Sequence, residues 1–168
     1  LDLDYEVRLV EDSDESYSED IPLKDVAEFL AVKKAKAACE KLGSNELVIC
    51  ADTIVLNDDV IYGKPTDKSE AVNMLSNLSG KTHMVITGVC LATHEKQISF
   101  SSITEVTFGV LTAQDIEYYV DNYMPFDKAG AYGIQDWIGF VGVKRIEGSY
   151  HNVMGLPVYR VYEELKKF

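Results

Sequence analysis

One carboxylate inside an apolar segment most restricts how this chain can fold. Asp52 interrupts the run from Leu47 to Leu56, which otherwise carries mainly the aliphatic residues of a buried strand. A charge held in such a strand costs several kcal/mol unless an opposite charge pairs with it, so the fold has to bring a cation to this position. Lys64 lies between Gly63 and Pro65, on a turn that follows the strand. The Asp and Lys pair predicts a site for phosphate and a metal ion.

Composition and charge indicate one globular domain with an acidic surface. The chain has 168 residues and a formal net charge of −12, and we interpret residues 1–168 as a single domain. The negative charge argues against duplex nucleic acid or an anionic membrane as a partner, because both bind basic patches. An anionic small molecule remains compatible with it, because a few lysines and a metal ion create a local positive site.

Cysteine spacing and hydropathy favour a cytoplasmic protein. Cys39, Cys50 and Cys90 are odd in number and include no C-x-x-C pair, so neither a disulfide framework nor a zinc site is indicated. Free thiols are typical of the reducing cytoplasm. No apolar run approaches the roughly 20 residues that a membrane span needs, and no signal peptide opens the chain.

Hydrophobic periodicity predicts alternating helices and strands, which is typical of the α/β class with a sheet covered by helices. The predicted strands are residues 3–10, 47–56, 60–62, 82–93, 97–110 and 138–146. The predicted helices are residues 23–42, 67–80, 112–123 and 156–167, and the acidic segment 11–20 is predicted to be a loop. Asp67 with Glu70 resembles a capping box, and Thr112 with Asp115 three residues later is predicted as an N-cap. The predicted buried stripe of the second helix is Ala71, Met74, Leu75 and Leu78.

Several long motifs follow one another along the chain. They are C-A-D-T-I-V-L with G-K-P-T-D, L-S-G-K-T-H-M-V-I-T-G-V, F-D-K-A-G-A-Y-G-I-Q and I-E-G-S-Y-H-N-V-M-G-L-P, with L-A-V-K-K-A-K-A before Asp52. With these motifs the chain resembles the Maf family of septum-formation proteins, which are nucleoside triphosphate pyrophosphatases, over nearly its whole length. The segment D-K-A-G-A-Y-G-I-Q resembles the subgroup that hydrolyses dTTP and UTP, and it differs from the 7-methyl-GTP subgroup.

The resemblance implies a fold and a reaction. The implied fold is a long, curved mixed β-sheet flanked by helices, with two lobes around a central nucleotide cleft, as in the inosine triphosphate pyrophosphatases. The implied reaction is attack of water on the α-phosphate, which gives a nucleoside monophosphate and pyrophosphate and requires Mg²⁺ or Mn²⁺. The resemblance also implies a homodimer, and a role in nucleotide house-cleaning or in cell division.

One departure from the family pattern concerns the opening segment. The family begins with a segment of the type S-x-S-P-R-R, whose Ser and Arg residues hold the triphosphate, and no such segment occurs here. Either those residues precede Leu1 in a longer protein or the enzyme is impaired. Because every downstream motif is intact, we expect the first.

Asp52 is the predicted catalytic residue, because it resembles the family Asp that activates the attacking water with the help of the metal. An unperturbed Asp has a pKa of about 3.9, so it is ionised at neutral pH and accepts a proton. Glu15 resembles a family Glu that helps Asp52 to hold the metal, and Asp14 is a weaker candidate beside it. One or two carboxylates suffice for Mg²⁺. The alternative is that Glu15 belongs to a solvated acidic loop.

Lys34 and Lys64 resemble the family lysines that bind phosphate, which a compact ammonium with three donors suits. A triphosphate carries nearly four negative charges, so it needs a metal as well as lysines to neutralise it. Lys34 lies in a helix beside Lys33 and Lys36, so periodicity alone cannot select it from a solvated helix face. Lys64 is more specific, because its flanking Gly and Pro define a turn.

Thr53 and Gln135 complete the predicted substrate site. Thr53 follows the catalytic Asp and is predicted to contact the nucleotide or to tune the Asp by hydrogen bonding, with an ordinary strand residue as the alternative. Gln135 matches a family Gln near the active site, and its amide both donates and accepts, which suits a pyrimidine edge or a phosphate oxygen. The alternative is a surface loop residue. Asp127 and Lys128 are weaker candidates that equally suit an ion pair within the loop.

Other patterns are interpreted as structural. The run from Gly130 to Gly133 lacks the G-x-x-x-x-G-K-[ST] spacing of a phosphate-binding P-loop. The histidines are too scattered for a metal site, and Ser149 with His151 lacks the G-x-S-x-G elbow of a hydrolase. Trp137 and Tyr132 suit base stacking or core packing equally well.

Three functions compete at this point. The first is a metal-dependent pyrophosphatase for dTTP and UTP, with other modified or unusual nucleotides as the alternative substrates. The second is a nucleotide-binding regulator without catalysis, which the missing opening segment motivates. The third is an acidic scaffold domain, which rests on the net charge alone.

Overall fold

Five strands form one sheet at the centre of the protein. The computed structural model describes residues 1–8 and 15–168. The strands lie in the order β2-β1-β3-β4-β5, with the bounds β1 Val48–Asn57, β2 Val60–Tyr62, β3 Thr82–Ala92, β4 Gln97–Phe108 and β5 Val143–Glu147. This arrangement confirms the α/β class. The prediction of a mixed sheet is wrong, because each described pair of neighbouring strands is antiparallel. Tight turns join β1 to β2 and β3 to β4, and such turns connect only antiparallel strands.

Helices cover both faces of this sheet. The first, α1, spans Val26–Cys39 after a 3₁₀ turn at Leu23–Asp25, and it packs on β1 and β3. The later elements are α2 Lys68–Leu78, α3 Ala113–Tyr123, a 3₁₀ turn at Ala129–Ala131, α4 Trp137–Gly142, α5 Tyr150–Val153 and α6 Val158–Leu165. Among the described residues, no helix combines the length and apolarity needed to cross a membrane.

Alternation along β1 divides the core between the two faces. Ile54 and Leu56 pack against α1, whereas Val55 between them packs into the core that includes residues of α2 and α3. This is the period of two that a strand imposes on its side chains. The strand β2 pairs only with the end of β1, from Val55 to Asn57. The rest of that edge of β1 has no strand partner among the described residues, which leaves space for a cleft.

The helix α1 approaches the sheet closely at Gly88. This residue lies opposite Asp52 in the register of β1 and β3. A Cβ placed on Gly88 would lie under 3.0 Å from the backbone of Ala27 and Glu28. Glycine therefore allows α1 to pack directly on β3. Lys34 lies about two turns further along the same helix, so this contact helps to place it over β1.

The predicted N-caps of α2 and α3 are confirmed. Asp67 caps α2, and its side chain accepts a hydrogen bond of 2.8 Å from the backbone N–H of Glu70. The predicted capping box is only half formed, because the Glu70 carboxylate accepts its hydrogen bonds from Thr66. Thr112 and Asp115 form a complete capping box at α3. The predicted apolar stripe of α2 is buried in full. Local sequence chemistry decided these features, because each involves residues within a turn or two of each other.

Two predicted strands are wrong in whole or in part. Residues 3–8 form no strand and are exposed, because no described strand lies beside them to accept their hydrogen bonds, and residues 9–10 lie outside the described part. The predicted strand 138–146 is a helix, α4, over its first half and becomes β5 only at Val143. Ile138 is buried in the core of α2 and α3, so tertiary packing overrode the β-propensity of this segment.

Candidate active site

A cleft of about 340 Å³ opens along the free edge of β1. Its walls come from α1, the middle of β1, the turn after β2, and the segments 127–135 and 153–155. Its charged and polar lining includes Lys34, Asp52, Thr53, Lys64, Asp127, Lys128 and Gln135. The structure therefore brings five of the six predicted site residues together, and the sixth, Glu15, contacts two of the lysines. Asp14 lies outside the described residues.

Lys34 joins the two carboxylates that were predicted to hold a metal. Its Nζ pairs with Asp52 Oδ1, and it lies 3.0 Å from Glu15 Oε1. The side chains of Lys34 and Asp52 are only 17% and 14% exposed, whereas that of Glu15 is 50% exposed. The aspartate inside β1 thus has the cationic partner that its burial requires. The neighbouring Lys33 instead bonds to Ser16, so geometry selects Lys34 where periodicity could not.

Burial and pairing shift the pKa values of these three groups in different directions. Burial raises the pKa of Asp52 above its usual value, although the hydrogen bond from Lys34 opposes the rise. Burial acts to lower the pKa of Lys34, but the bonds and charges of the two carboxylates outweigh it and raise that pKa. The hydrogen bond from Lys34 lowers the pKa of Glu15. The buried carboxylate is therefore the more basic of the two, which suits a proton acceptor.

The carboxylates of Asp52 and Glu15 fit a divalent cation. Both bond to one ammonium, so oxygens from two distant parts of the chain converge on one cationic position beside the cleft. Mg²⁺ prefers oxygen ligands and is usually held by one or two carboxylates together with waters and substrate phosphates. The described residues contain no group of three or more His, Cys, Asp or Glu that could hold a metal. The donor set thus fits a cation that the substrate helps to bind.

Lys64 reaches the same region from the turn after β2. Its Nζ lies 3.9 Å from Glu15 Oε1, and its side chain is 58% exposed. The backbone N–H of Gly130 donates a 3.0 Å hydrogen bond to the carbonyl of Gly63, which ties this turn to the 3₁₀ turn at Ala129–Ala131. The ammonium group is thus held near the cleft by a backbone contact while it remains free to reorient toward an anion.

Lys128 adds another ammonium group to the cleft wall. Its Nζ lies 3.1 Å from Asp127 Oδ2, so the ion pair foreseen as an alternative for these residues is present. The Lys128 side chain is 26% exposed, whereas that of Asp127 is 77% exposed. An exposed ion pair is worth little, so it leaves Lys128 available to a bound anion.

Thr53 begins a hydrogen-bond chain that sequence reasoning missed. Its hydroxyl lies 2.9 Å from that of Thr87, which donates to the carbonyl of Asn152 over 2.9 Å. The buried Asn152 amide donates to the carbonyl of Val85 and to the hydroxyl of Thr104. The chain joins α5 to β3 and β4 and so holds the segment 153–155 at the cleft. Its members are far apart in sequence, and only the motif S-Y-H-N-V-M-G marked Asn152.

Gln135 is the exposed residue of a largely buried turn that lines the cleft. The turn is closed by a 3.0 Å hydrogen bond from the backbone N–H of Asp136 to the carbonyl of Gly133. The Gln135 amide is available to a ligand. Tyr132 is buried and packs edge-on against Phe108, which favours the core interpretation of this residue over base stacking.

Behind the cleft, His83 is buried and neutral. Its Nε2 lies 2.7 Å from the Tyr132 hydroxyl, and its Nδ1 has no hydrogen-bond partner among the described residues. Burial lowers the pKa of His83 to about 4 from an ordinary 6.5. Protonation would place a charge on a nitrogen that neither water nor a described side chain solvates.

We expect the free energy of unfolding to fall by up to about 3 kcal/mol as the pH drops from 6.5 to about 4, because only the unfolded His83 gains a proton in this range. Above pH 6.5 this contribution is fully present. Denaturant unfolding of the wild type and His83→Gln across this range measures it. The difference between the two curves isolates the histidine from carboxylates that titrate in both proteins, and parallel curves would contradict the prediction.

The whole chain is similar to known proteins of one family. The family model described as Maf-like protein matches residues 1–168. A dTTP/UTP pyrophosphatase of Bacteroides fragilis is 50% identical over 99% of this chain and 86% of its own length. Proteins of the same name from Bacteroides thetaiotaomicron and Parabacteroides distasonis are 51% and 49% identical, over 99% and 100% of this chain and 86% and 87% of their own lengths.

Proposed function

Because the chain belongs to the Maf family, we propose that it is a pyrophosphatase that hydrolyses dTTP and UTP to the nucleoside monophosphate and pyrophosphate. The observation that carries the proposal is the meeting of Lys34, Asp52 and Glu15 at the cleft, with Lys64 beside them. A triphosphate needs several cationic contacts and a base close to its reacting phosphorus. The relatives named above as dTTP/UTP pyrophosphatases support this choice of substrate.

In this mechanism Asp52 is the general base. Its carboxylate accepts a proton from a water as that water's oxygen bonds to the α-phosphorus. The bond from the α-phosphorus to the oxygen that bridges to the β-phosphorus breaks, and its electron pair leaves with pyrophosphate. A raised pKa strengthens the base for this transfer. Lys34 holds Asp52 in place, and Lys64 and Lys128 contact the phosphate oxygens.

Asp52 and Glu15 would hold the cofactor, which we propose to be Mg²⁺ or Mn²⁺. When bound, the cation neutralises part of the triphosphate charge and makes the α-phosphorus more electrophilic. The exposed Glu15 is free to turn from lysine to metal, since its side chain is half exposed. Thr53 and Gln135 are the proposed nucleotide contacts, and the Gln135 amide suits a pyrimidine edge.

The cellular compartment and the oligomeric state of the protein are also proposals. Cys39, Cys50 and Cys90 are free thiols, which fits a reducing compartment, and we propose that the protein acts in the cytoplasm. The homodimer implied by the family resemblance is likewise a proposal. Light scattering of the purified protein measures the mass that decides it.

The activity is tested by incubating the protein with dTTP, UTP, CTP, ATP, GTP and inosine triphosphate, with Mg²⁺, with Mn²⁺ and with neither. We expect dTTP and UTP to be cleaved at least about tenfold faster than the others, which corresponds to roughly 1.4 kcal/mol of selectivity. Omission of the metal should abolish turnover. In ¹⁸O water the label should enter the monophosphate, because water attacks the α-phosphorus.

Other outcomes identify other functions. Faster cleavage of inosine triphosphate than of dTTP would replace the pyrimidine assignment with that of an enzyme for unusual nucleotides. Tight nucleotide binding without turnover would indicate a regulator. Label in pyrophosphate would contradict the proposed site of attack.

A further inference from the structure

A buried tyrosine hydroxyl holds both ends of the turn that carries Gln135. The side chain of Tyr119 extends from α3, and the residue is 0% exposed. Its hydroxyl donates a hydrogen bond of 2.8 Å to Asp136 Oδ2 and accepts one of 3.1 Å from the backbone N–H of Gly133. Gly133 and Asp136 are also the two residues that the turn's own hydrogen bond connects. One side chain thus bridges the first and last residues of a four-residue turn.

The protonation state and the surroundings of Tyr119 stabilise this hydrogen-bonded bridge. Burial raises the pKa of Tyr119, so its hydroxyl keeps the proton that it donates to Asp136. Asp136 precedes α4 at the N-cap position, yet its carboxylate makes no capping bond to that helix. The carboxylate is therefore committed to Tyr119. A hydrogen bond to a charged group is stronger than one between neutral groups.

Gln135 depends on this bridge for its position. It is exposed, and its side chain makes no hydrogen bond to the residues that the structure describes. Only the backbone of the turn therefore sets where the amide can reach into the cleft. If the turn were loose, binding of a base would also have to order it, and that ordering would weaken the affinity.

We propose that Tyr119 is a positioning residue that presents the Gln135 amide to the pyrimidine base and so helps to select UTP and dTTP. The inference rests on the proposed function, because it assumes that Gln135 contacts the base. Tyr119 lies behind the turn and touches no substrate. Its effect on the reaction is therefore carried entirely by Gln135.

The test compares kcat and KM for UTP and CTP in the wild type, Tyr119→Phe, Gln135→Ala and the double variant. We expect Tyr119→Phe to raise KM for UTP about tenfold and to change kcat less than about twofold, because it weakens binding without touching the reacting groups. The preference for UTP over CTP should fall. In the Gln135→Ala background the same change should have no further effect, since the two residues act as one unit.

Control variants separate this role from general stability. Tyr123→Phe removes a hydroxyl from a partly exposed residue of the same helix and should leave both constants unchanged. Asp136→Ala removes the acceptor of the Tyr119 hydrogen bond and should have the same effect as Tyr119→Phe. Asp136→Asn keeps an acceptor oxygen and should retain the preference for UTP over CTP. The two Asp136 variants test the bridge even if Tyr119→Phe does not fold.

Three results would overturn the inference. Equal losses in the wild-type and Gln135→Ala backgrounds would show that Tyr119 acts on the whole domain. Unchanged selectivity in Tyr119→Phe and Asp136→Ala, in an enzyme that cleaves UTP, would remove the positioning role and leave the proposed function intact. A wild type that cleaves no pyrimidine triphosphate would remove both.

Discussion

Asp52→Asn is expected to lower kcat for UTP by about 10³-fold, because general-base catalysis contributes roughly 10²–10⁴ and an amide cannot accept the proton of the attacking water. The change preserves side-chain size, so the fold should survive. Lys34 would lose its buried anionic partner, but Glu15 remains within 3.0 Å of its Nζ. The measurement is pyrophosphate release under saturating UTP and Mg²⁺, with circular dichroism to verify the fold.

Asp59→Asn is the matched control for this experiment. Asp59 lies on the exposed turn that ends β1 and undergoes the same chemical change. The kcat of the Asp59→Asn variant should match that of the wild type. An Asp52→Asn protein that keeps more than about a tenth of the wild-type kcat would remove Asp52 from the role of base, because a loss so small lies below the range that general-base catalysis supplies.

Gly88→Ala is expected to lower the free energy of unfolding by about 3 kcal/mol, at the upper end of what overpacking in a core usually costs. The added Cβ would meet the backbone of Ala27 and Glu28 at under 3.0 Å. Backbone atoms cannot turn aside as a flexible side chain can, so α1 as a whole has to move away from β3. Denaturant unfolding of the wild type and the variant measures the change.

A second glycine in the sheet region serves as control. An added Cβ on Gly109 would come no closer than 3.6 Å to the carbonyl oxygen of Gly142, which is an ordinary contact. Gly109→Ala should therefore leave stability unchanged or slightly raised, because alanine restricts the unfolded chain. Gly88→Ala should also lower kcat, since α1 carries Lys34. If Gly88→Ala and the wild type are equally stable, α1 can move away from β3 without any cost in the free energy of unfolding, and the prediction is wrong.

Sequence reasoning succeeded where the determining contacts are local. The caps at Asp67 and Thr112 and the buried stripe of α2 depend on residues within a turn or two of each other. It failed at 138–146, because a β-rich composition was read without knowing that Ile138 packs into the core of α2 and α3. His83 is a similar case, since nothing near it in the chain indicates that Tyr132 will bond to it.

The candidate site shows the same division. The motifs along the chain predict six site residues: Asp52, Lys34, Lys64, Glu15, Thr53 and Gln135. Motif likeness works here because the reaction demands particular chemical groups. Motif likeness does not reveal how supporting residues act: Asn152 lies in a motif but was given no role, and Tyr119 lies in none. The hydrogen-bond partners of these two side chains lie between 14 and 67 positions away in the chain.

The amino-acid sequence by itself determined which groups are available: a carboxylate inside an apolar strand, lysines to balance it, and the signals that begin each capped helix. Only the tertiary structure decided which lysine meets Asp52, how closely α1 may approach Gly88, and which buried hydroxyl holds the Gln135 turn. The physical reason is that charge and local propensity belong to residues and their near neighbours. Pairing and close packing depend on distances between elements that the chain brings together only when it folds.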